Sequence, residues 1–409
     1  MKDKTATSLT SKRFNQLDAL RGIAALTVVF DHCMRVIPGA GSGETAHGTA
    51  LKLAKFTPLH IVWAGHQAVM FFFVLSGFVL SLPFHSGRSD PYGTFVIRRI
   101  CRIWIPYIVV IAAALCARVL FRSSSGNHYI SGWVHSDWAG SLGPVHLLNH
   151  LSLIGSFNDA QIDPVVWSLT IEMRISLIFP LLLWVVLRSR WQFSLGGSIA
   201  LGAVGYAMNY YGALANLGLT IAYIPLFVIG ILLAQHRENV KRFYTAWSSR
   251  FGLWTILVIA LVAYTYPYWA LPHVRVLHLA PPDDWATTVG VVLFIVAALG
   301  SPAVIAVLSH RVPVWLGRIS YSLYLVHAAV LLTVVHLLYG KIPLVGIWLI
   351  TIATSLVLAT LCHRYVEQPG ITLGKALARR ARARSANSSA TSPDLTTGPD
   401  SRHSELGRG

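Results

Sequence analysis

Residues 17–32 read Leu17-Asp18-Ala19-Leu20-Arg21-Gly22-Ile23-Ala24-Ala25-Leu26-Thr27-Val28-Val29-Phe30-Asp31-His32. The middle of this run is apolar enough for a membrane, yet both ends carry ionisable groups. It is not a cleaved signal peptide, because Asp31 and His32 interrupt it and no small-residue cleavage site follows. It reads as the first of a series of membrane spans.

The composition agrees. Of 409 residues, 54% are hydrophobic and only 12% charged, against about 25% charged in a soluble globular chain. Thirteen Trp, fifteen Tyr and seventeen Phe exclude a disordered chain. Ten segments have the roughly 17–25 apolar residues that a bilayer requires. They lie near 16–37, 60–83, 103–120, 165–187, 193–211, 217–235, 252–268, 285–308, 318–338 and 343–363. An all-α membrane protein of about ten transmembrane helices is the expected fold.

The formal charge of +17 points to orientation, not to nucleic acid, because the basic residues flank apolar runs. With the N-terminus in the cytoplasm, 24 Lys and Arg fall inside and seven outside, and Arg21 and Arg174 lie within spans. Such a bias predicts that both termini are cytoplasmic. The expected organisation is a cytoplasmic segment 1–13, a membrane domain 14–370 and a basic tail 371–409. Within the tail, Ser, Thr, Pro and Gly over 385–409 predict disorder. Residues 121–164 form the longest outer loop, with a short interfacial segment at Pro144–Phe157. Cys33, Cys101, Cys116 and Cys362 form no C-x-x-C pair, so neither a disulfide framework nor a zinc site is expected. Among the outer-loop histidines His128, His135, His146 and His150, no metal spacing stands out, and a solvated rim is the expected role.

An ionisable residue at the bilayer centre costs ~2.5–3.5 kcal/mol on insertion scales, so such residues mark the place to look for function. Arg21 and His32 are eleven residues apart, three turns plus ~20°, so they share one helix face ~16 Å apart in height. Arg21 read alone is a snorkelling anchor; the pair on one face, beside Asp18 and Asp31, reads as functional. In the fourth span Ser168 and Glu172 are i,i+4 and share a face. The depth of Glu172 approaches that of His32, where a carboxylate would fix the imidazole tautomer. The competing role for Glu172 is a structural ion pair with Arg174 or another arginine. Ser76 and Gly77 permit close approach of a helix or ligand. Arg99 and Arg102, i,i+3, suit a phosphate-bearing cytoplasmic ligand, although positive-inside anchoring explains many such clusters. Tyr324 and His327 share a face of the ninth span. Glu367 is level with Arg21 and is expected to clasp it.

Together these pieces resemble the acyltransferase-3 family of integral membrane O-acyltransferases, over roughly residues 14–370. Leu17–Gly22 followed by His32 is similar to the family's Arg-x10-His motif, and Phe72-Phe73-Val74-Leu75-Ser76-Gly77-Phe78 to its second-span motif. Arg99-Ile100-Cys101-Arg102 resembles its Arg-x-x-Arg, and Trp167-Ser168-Leu169-Thr170-Ile171-Glu172 its Trp-Ser…Glu. Tyr321 to His327 and Tyr365-Val366-Glu367-Gln368-Pro369 complete the set. One departure follows Glu172, where Met173-Arg174-Ile175 replaces the family's acidic or amide residue with aromatics. Some members carry a C-terminal periplasmic hydrolase-like domain; the short tail here predicts none.

The resemblance implies transfer of an acyl group, often acetyl from acetyl-CoA, to a hydroxyl, in a bacterial inner membrane. His32 is then the expected general base with Glu172 orienting it, or carries a transient acyl group. Arg21, Arg99 and Arg102 are expected to hold the acyl-CoA donor, and Ser76, Ser168, Tyr324 and His327 to line the pocket. No metal is expected. Envelope carbohydrate or glycolipid is the expected acceptor and a small secreted metabolite the alternative. Trp133, His135, Asp137 and Trp138 are candidates either to stack a sugar or to form an aromatic belt. A proton-coupled secondary transporter is the rival class, since carriers also use buried Arg, Glu and His; a scaffold that only exports sugar intermediates is a weaker third. The expected partners are the bilayer, acyl-CoA and the acceptor.

Overall fold

A computed structural model describes residues 14–38, 51, 53, 55–85, 87, 90–122, 131–155, 161–212, 214–269 and 280–390. Among them every regular element is helical. The long helices are α1 (Asn15–Arg35), α2 (Gly65–His85) and α3 (Tyr92–Phe121). Two short outer-loop helices follow, α4 (Gly132–Ser136) and α5 (Pro144–Ser152). Then come α6 (Val166–Arg188), α7 (Trp191–Tyr210), α8 (Ala215–Gln235), α9 (Arg237–Phe251), α10 (Leu253–Tyr264) and α11 (Tyr266–Trp269). The chain continues with α12 (Ala280–Gly300), α13 (Pro302–Leu308), α14 (Arg311–Leu338) and α15 (Leu344–Cys362). A π-helical turn, His363–Glu367, leads into α16 (Gln368–Ala390).

Each of the ten expected spans coincides with helix. By length and composition seven helices can cross a membrane, or eight if α9 and α10, bent by 108°, form one span. Two expected spans, α1 and α7, do not pass this test. α1 carries Asp18, Arg21 and Asp31 within its length, and α7 is diluted by Ser194, Gly196, Gly197 and Ser198. The expected span 252–268 is shorter than foreseen. Gly252 at φ +80° turns the chain, leaving twelve residues in α10, or ~18 Å. The residues before Gly252 form an amphipathic helix, with the rings of Phe243, Trp247 and Phe251 in successive tilted contact and Arg237, Lys241, Arg242 and Arg250 along it. The expected span 285–308 is likewise broken, at Ser301, whose side chain accepts from Val304 N–H and caps α13. Helix also reaches Ala390, past the point where disorder was expected, while residues 391–409 lie outside the described residues. This C-terminal helix packs along α3, where a side chain at Gly370 or Gly374 would meet Cys101. Arg382 also pairs with Asp90, which receives Arg98 as well.

α14 is the centre. Its most apolar window is 78% buried by protein, against 22% for the peripheral α15–α16 helix. α1 lies between α14 and α2, and α8 joins α2 to α6 and α7. Two glycine crossings draw the backbones together. A Cβ on Gly22 would strike the Gly317 backbone, and one on Gly317 would strike Asp18. A Cβ on Gly77 would strike Phe227, and one on Gly230 would strike Val74. Small residues let helices approach closely where lipid offers no hydrophobic drive. The first crossing sets the register of α1 against α14, and thereby brings His32 to His327.

Candidate active site

The buried polar groups form two layers at different depths. The inner layer is built around Glu172. Arg99 Nη2 donates to Glu172 Oε1 (3.0 Å) and to Ser176 Oγ (2.8 Å), and Ser76 Oγ donates to the same Glu172 oxygen (3.1 Å). The ion pair is nearly shielded, with side chains 10% and 17% exposed. Beside it, Arg21 lies in the electrostatic field of Arg102, Glu172, Asp18 and Glu367. Among the described residues, neither Arg21 nor Arg102 donates a hydrogen bond to protein.

Glu367 belongs to the same layer by way of the π-turn, which re-aims its side chain into the bundle. Its Oε2 accepts from Ser322 Oγ (2.8 Å) and from His363 Nδ1 (2.9 Å). His363 Nε2 accepts from the Gln368 amide (3.1 Å), which fixes the proton on Nδ1. The expected Arg21–Glu367 clasp is therefore replaced by a Ser322–Glu367–His363 chain, with Arg21 near Glu367 and not hydrogen-bonded to it. Tyr321 donates to the Ile103 carbonyl (2.7 Å) and ties α14 to α3.

The outer layer is built around His32. His327 Nδ1 lies 3.1 Å from the Leu323 carbonyl. A carbonyl only accepts, so His327 carries its proton on Nδ1 and offers a lone pair on Nε2. His32 Nδ1 is 3.0 Å from the Val28 carbonyl and 3.3 Å from His327 Nε2. Both neighbours accept, so His32 also carries its proton on Nδ1, shared between them. Its Nε2 lone pair is left without a hydrogen bond among the described residues. The Trp133 ring lies 5.4 Å from the His32 ring, and Tyr324 packs against His327 (5.8 Å) and Phe72 (5.6 Å). Ser168 Oγ and Tyr324 Oη are 2.7 Å apart. Beyond His32, Arg35 donates to Asp31 (2.7 Å). On the outer flank His60 stacks on Tyr268, centroids 3.3 Å apart, and burial pushes its imidazole down to about 4.

The expected contact between Glu172 and His32 is not made. Ser168 is level with Tyr324; Glu172 lies one turn deeper along α6, and His327 three residues further out along α14. At 1.5 Å per residue these steps separate the two groups by ~10 Å in height. The carboxylate is spent on Arg99, and the imidazole is oriented by its own helix and by His327. Arg174 turns away from Glu172. It donates to the carbonyls of Ile154 (2.9 Å), Gly155 (2.9 Å) and Asn216 (2.7 Å), tying the outer loop to α8.

In the described part of the outer loop, one turn is held tightly against α3. Arg118, 2% exposed, donates to the carbonyls of Trp138, Ala139 and Gly140 (3.3, 3.2 and 2.7 Å), holding a turn in which Trp138 has φ +60°. Trp138 is buried, donates to the Ile162 carbonyl (2.9 Å) and packs on His336. Asp137 is buried and His135 exposed. Of the four candidates for a sugar platform or an aromatic belt, Asp137 and Trp138 are thus buried, while Trp133 is half-buried and His135 exposed. His150 is buried, 3.1 Å from the Tyr107 hydroxyl, where a solvated rim was expected; His128 lies outside the described residues.

The acyltransferase-3 family, described as an acyltransferase domain, matches residues 14–364. The chain belongs to this family. It is 28% identical to acyltransferase MdmB of Streptomyces mycarofaciens, over 94% of this chain and 96% of that one. It is 24% identical to nodulation protein 10 of Rhizobium leguminosarum bv. viciae, over 90% and 95%. It is 22% identical to a putative O-acetyltransferase of Staphylococcus aureus, over 86% of this chain and 56% of that longer one. No solved structure matches. The chain is thus an integral, multi-pass membrane acyltransferase acting on groups other than amino-acyl groups.

Proposed function

We propose that the protein moves an acetyl group from acetyl-CoA to a hydroxyl of an envelope carbohydrate or glycolipid at a bacterial inner membrane. The observation that carries this reading is the placement of His32, whose Nδ1 faces two acceptors and whose Nε2 meets no hydrogen-bond partner among the described residues.

Nε2 takes the proton of the acceptor hydroxyl as the oxygen attacks the thioester carbonyl. The C–S bond breaks, and the proton on Nε2 passes to the leaving sulfur. His327 fixes the tautomer and faces the imidazolium that forms with a lone pair. Arg21 and Arg102, whose guanidiniums are uncommitted, suit the anionic phosphates of the donor. Arg99 supports them from its pair with Glu172, which holds α3 against α6. With both termini cytoplasmic, as the charge bias implies, the arginine layer faces the cytoplasm, where acetyl-CoA is made, and His32 lies towards the outside.

The test uses membranes carrying the wild type or His32→Ala, given acetyl-labelled CoA, with carbohydrate and small-molecule fractions separated. Label in carbohydrate that requires His32 at equal protein level is the expected outcome. Label only in a small-molecule fraction would move the acceptor class to metabolites. Equal label with and without His32 would remove it from the chemistry.

A further inference from the structure

A second imidazole–carboxylate pair stands beside Trp167. His66, one residue into α2, donates from Nε2 to Asp284 Oδ1 (2.9 Å). Asp284, on α12, is 8% exposed, whereas His66 keeps 39% of its side chain open. The other Asp284 oxygen accepts from Tyr206, and Tyr223 also hydrogen-bonds this carboxylate. Three donors from three helices fix a buried anion, and the anion fixes the His66 ring. His66 Nδ1 meets no hydrogen-bond partner among the described residues. The ring lies nearly parallel to Trp167, with centroids 6.2 Å apart and planes at 16°, and Tyr223 braces Trp167 from another side (6.3 Å).

The pair is tied to the outer histidine layer at two points. The backbone of Gly65 closes on the Asp31 side chain, and Asp31 directly precedes His32. Trp167 directly precedes Ser168, the partner of Tyr324. Trp167 also lines a cleft with Gly155, Thr170 and Asn216 beneath the outer loop.

We propose that His66, Asp284 and Trp167 form the acceptor subsite, for a polyhydroxylated ring. A flat apolar ring face packs against Trp167, and one hydroxyl hydrogen-bonds His66 Nδ1. Asp284 and its two tyrosines are positioning groups that hold the imidazole ring in place. The proposal rests on the acyl-transfer reading, and it gives the acceptor a place beside His32 and apart from the arginine layer.

Steady-state transfer from acetyl-CoA to the membrane carbohydrate fraction tests it in His66→Gln and Asp284→Asn. The expected result is an acceptor KM raised at least ~10-fold in His66→Gln, with the KM for acetyl-CoA within about twofold of wild type. Asp284→Asn is expected to shift the acceptor KM in the same direction. An unchanged acceptor KM with only kcat or thermal stability lowered would overturn the subsite. A second readout needs no turnover. Diethyl pyrocarbonate is expected to modify His66, detected by peptide mass spectrometry, and N-acetylglucosamine is expected to slow that modification. A His66 that is unreactive, or not protected, would overturn the subsite even in an active enzyme. If the wild type acylates no carbohydrate, the proposed function falls and this labelling alone decides the subsite.

Discussion

The two polar layers are held together in opposite ways. In the inner layer, side chains hold side chains: Arg99 is fixed by Glu172 and Ser176, and Glu172 also by Ser76. In the outer layer, backbone carbonyls hold rings: His32 is oriented by Val28 and His327 by Leu323, each one turn back on its own helix. Removing an inner group strands a partner that has nowhere to turn. Removing an outer ring leaves a helical carbonyl that keeps its own helix bond. Inner substitutions therefore mix stability with activity, and outer ones separate them.

The comparison can be broken first at His32. His32→Ala is expected to lower transfer ~10²–10⁴-fold, the usual contribution of a positioned base, with the unfolding temperature nearly unchanged. A large fall in thermal stability would mean that the outer layer is structural after all. Glu172→Gln is the inner counterpart. It leaves Arg99 buried beside a neutral amide, and breaking a buried pair costs about 3–5 kcal/mol. Fluorescence-monitored unfolding in detergent is expected to show that loss; an unchanged midpoint would show water reaching Arg99.

Two smaller effects sharpen the contrast. Arg102→Ala removes a guanidinium with no protein partner among the described residues. It is expected to raise the donor KM roughly tenfold, about one charge-assisted hydrogen bond, without changing stability. Equal donor KM values would leave donor binding to Arg21 and Arg99. Tyr324→Phe deletes the 2.7 Å contact to Ser168 and is expected to cost about 0.5–1.5 kcal/mol of stability, with a mild loss of rate.

Much of this site was legible in sequence, for a physical reason: a charge inside an apolar run is costly enough to be noticed. Arg21, His32, Glu172 and His327 each stood out that way, and helix periodicity put Arg21 and His32 on one face. Partners were less legible. Glu172 was matched to His32 by depth within single helices, and the ~10 Å error came from the stagger of α6 against α14, which depends on packing. Level along the helices pairs Glu367 with Arg21, but the π-turn directs it to Ser322. Asp284 was missed for a smaller reason. The apolar run was read as starting at 285, which left the carboxylate in a loop, and its partner His66 lies 218 residues away. The carbonyl clamps made by Arg118 and Arg174 leave no sequence signature, because any residue supplies a carbonyl. Gly252 was the available signal for the break before α10, and an apolar stretch of span length concealed it.

The eleven-residue step from Arg21 to His32 has an electrical consequence. It sets the anchoring of a polyanion and the handling of a hydroxyl proton at heights ~16 Å apart along α1. Carrying one elementary charge across a full potential of 100 mV is worth about 2.3 kcal/mol. In the proposed arrangement the phosphates stay at the arginines and only a neutral acetyl group advances. The proton that His32 takes up returns to the departing sulfur. Turnover in sealed vesicles is therefore expected to be the same with and without an imposed membrane voltage. A rate that follows the voltage would mean that the proton leaves by the other side.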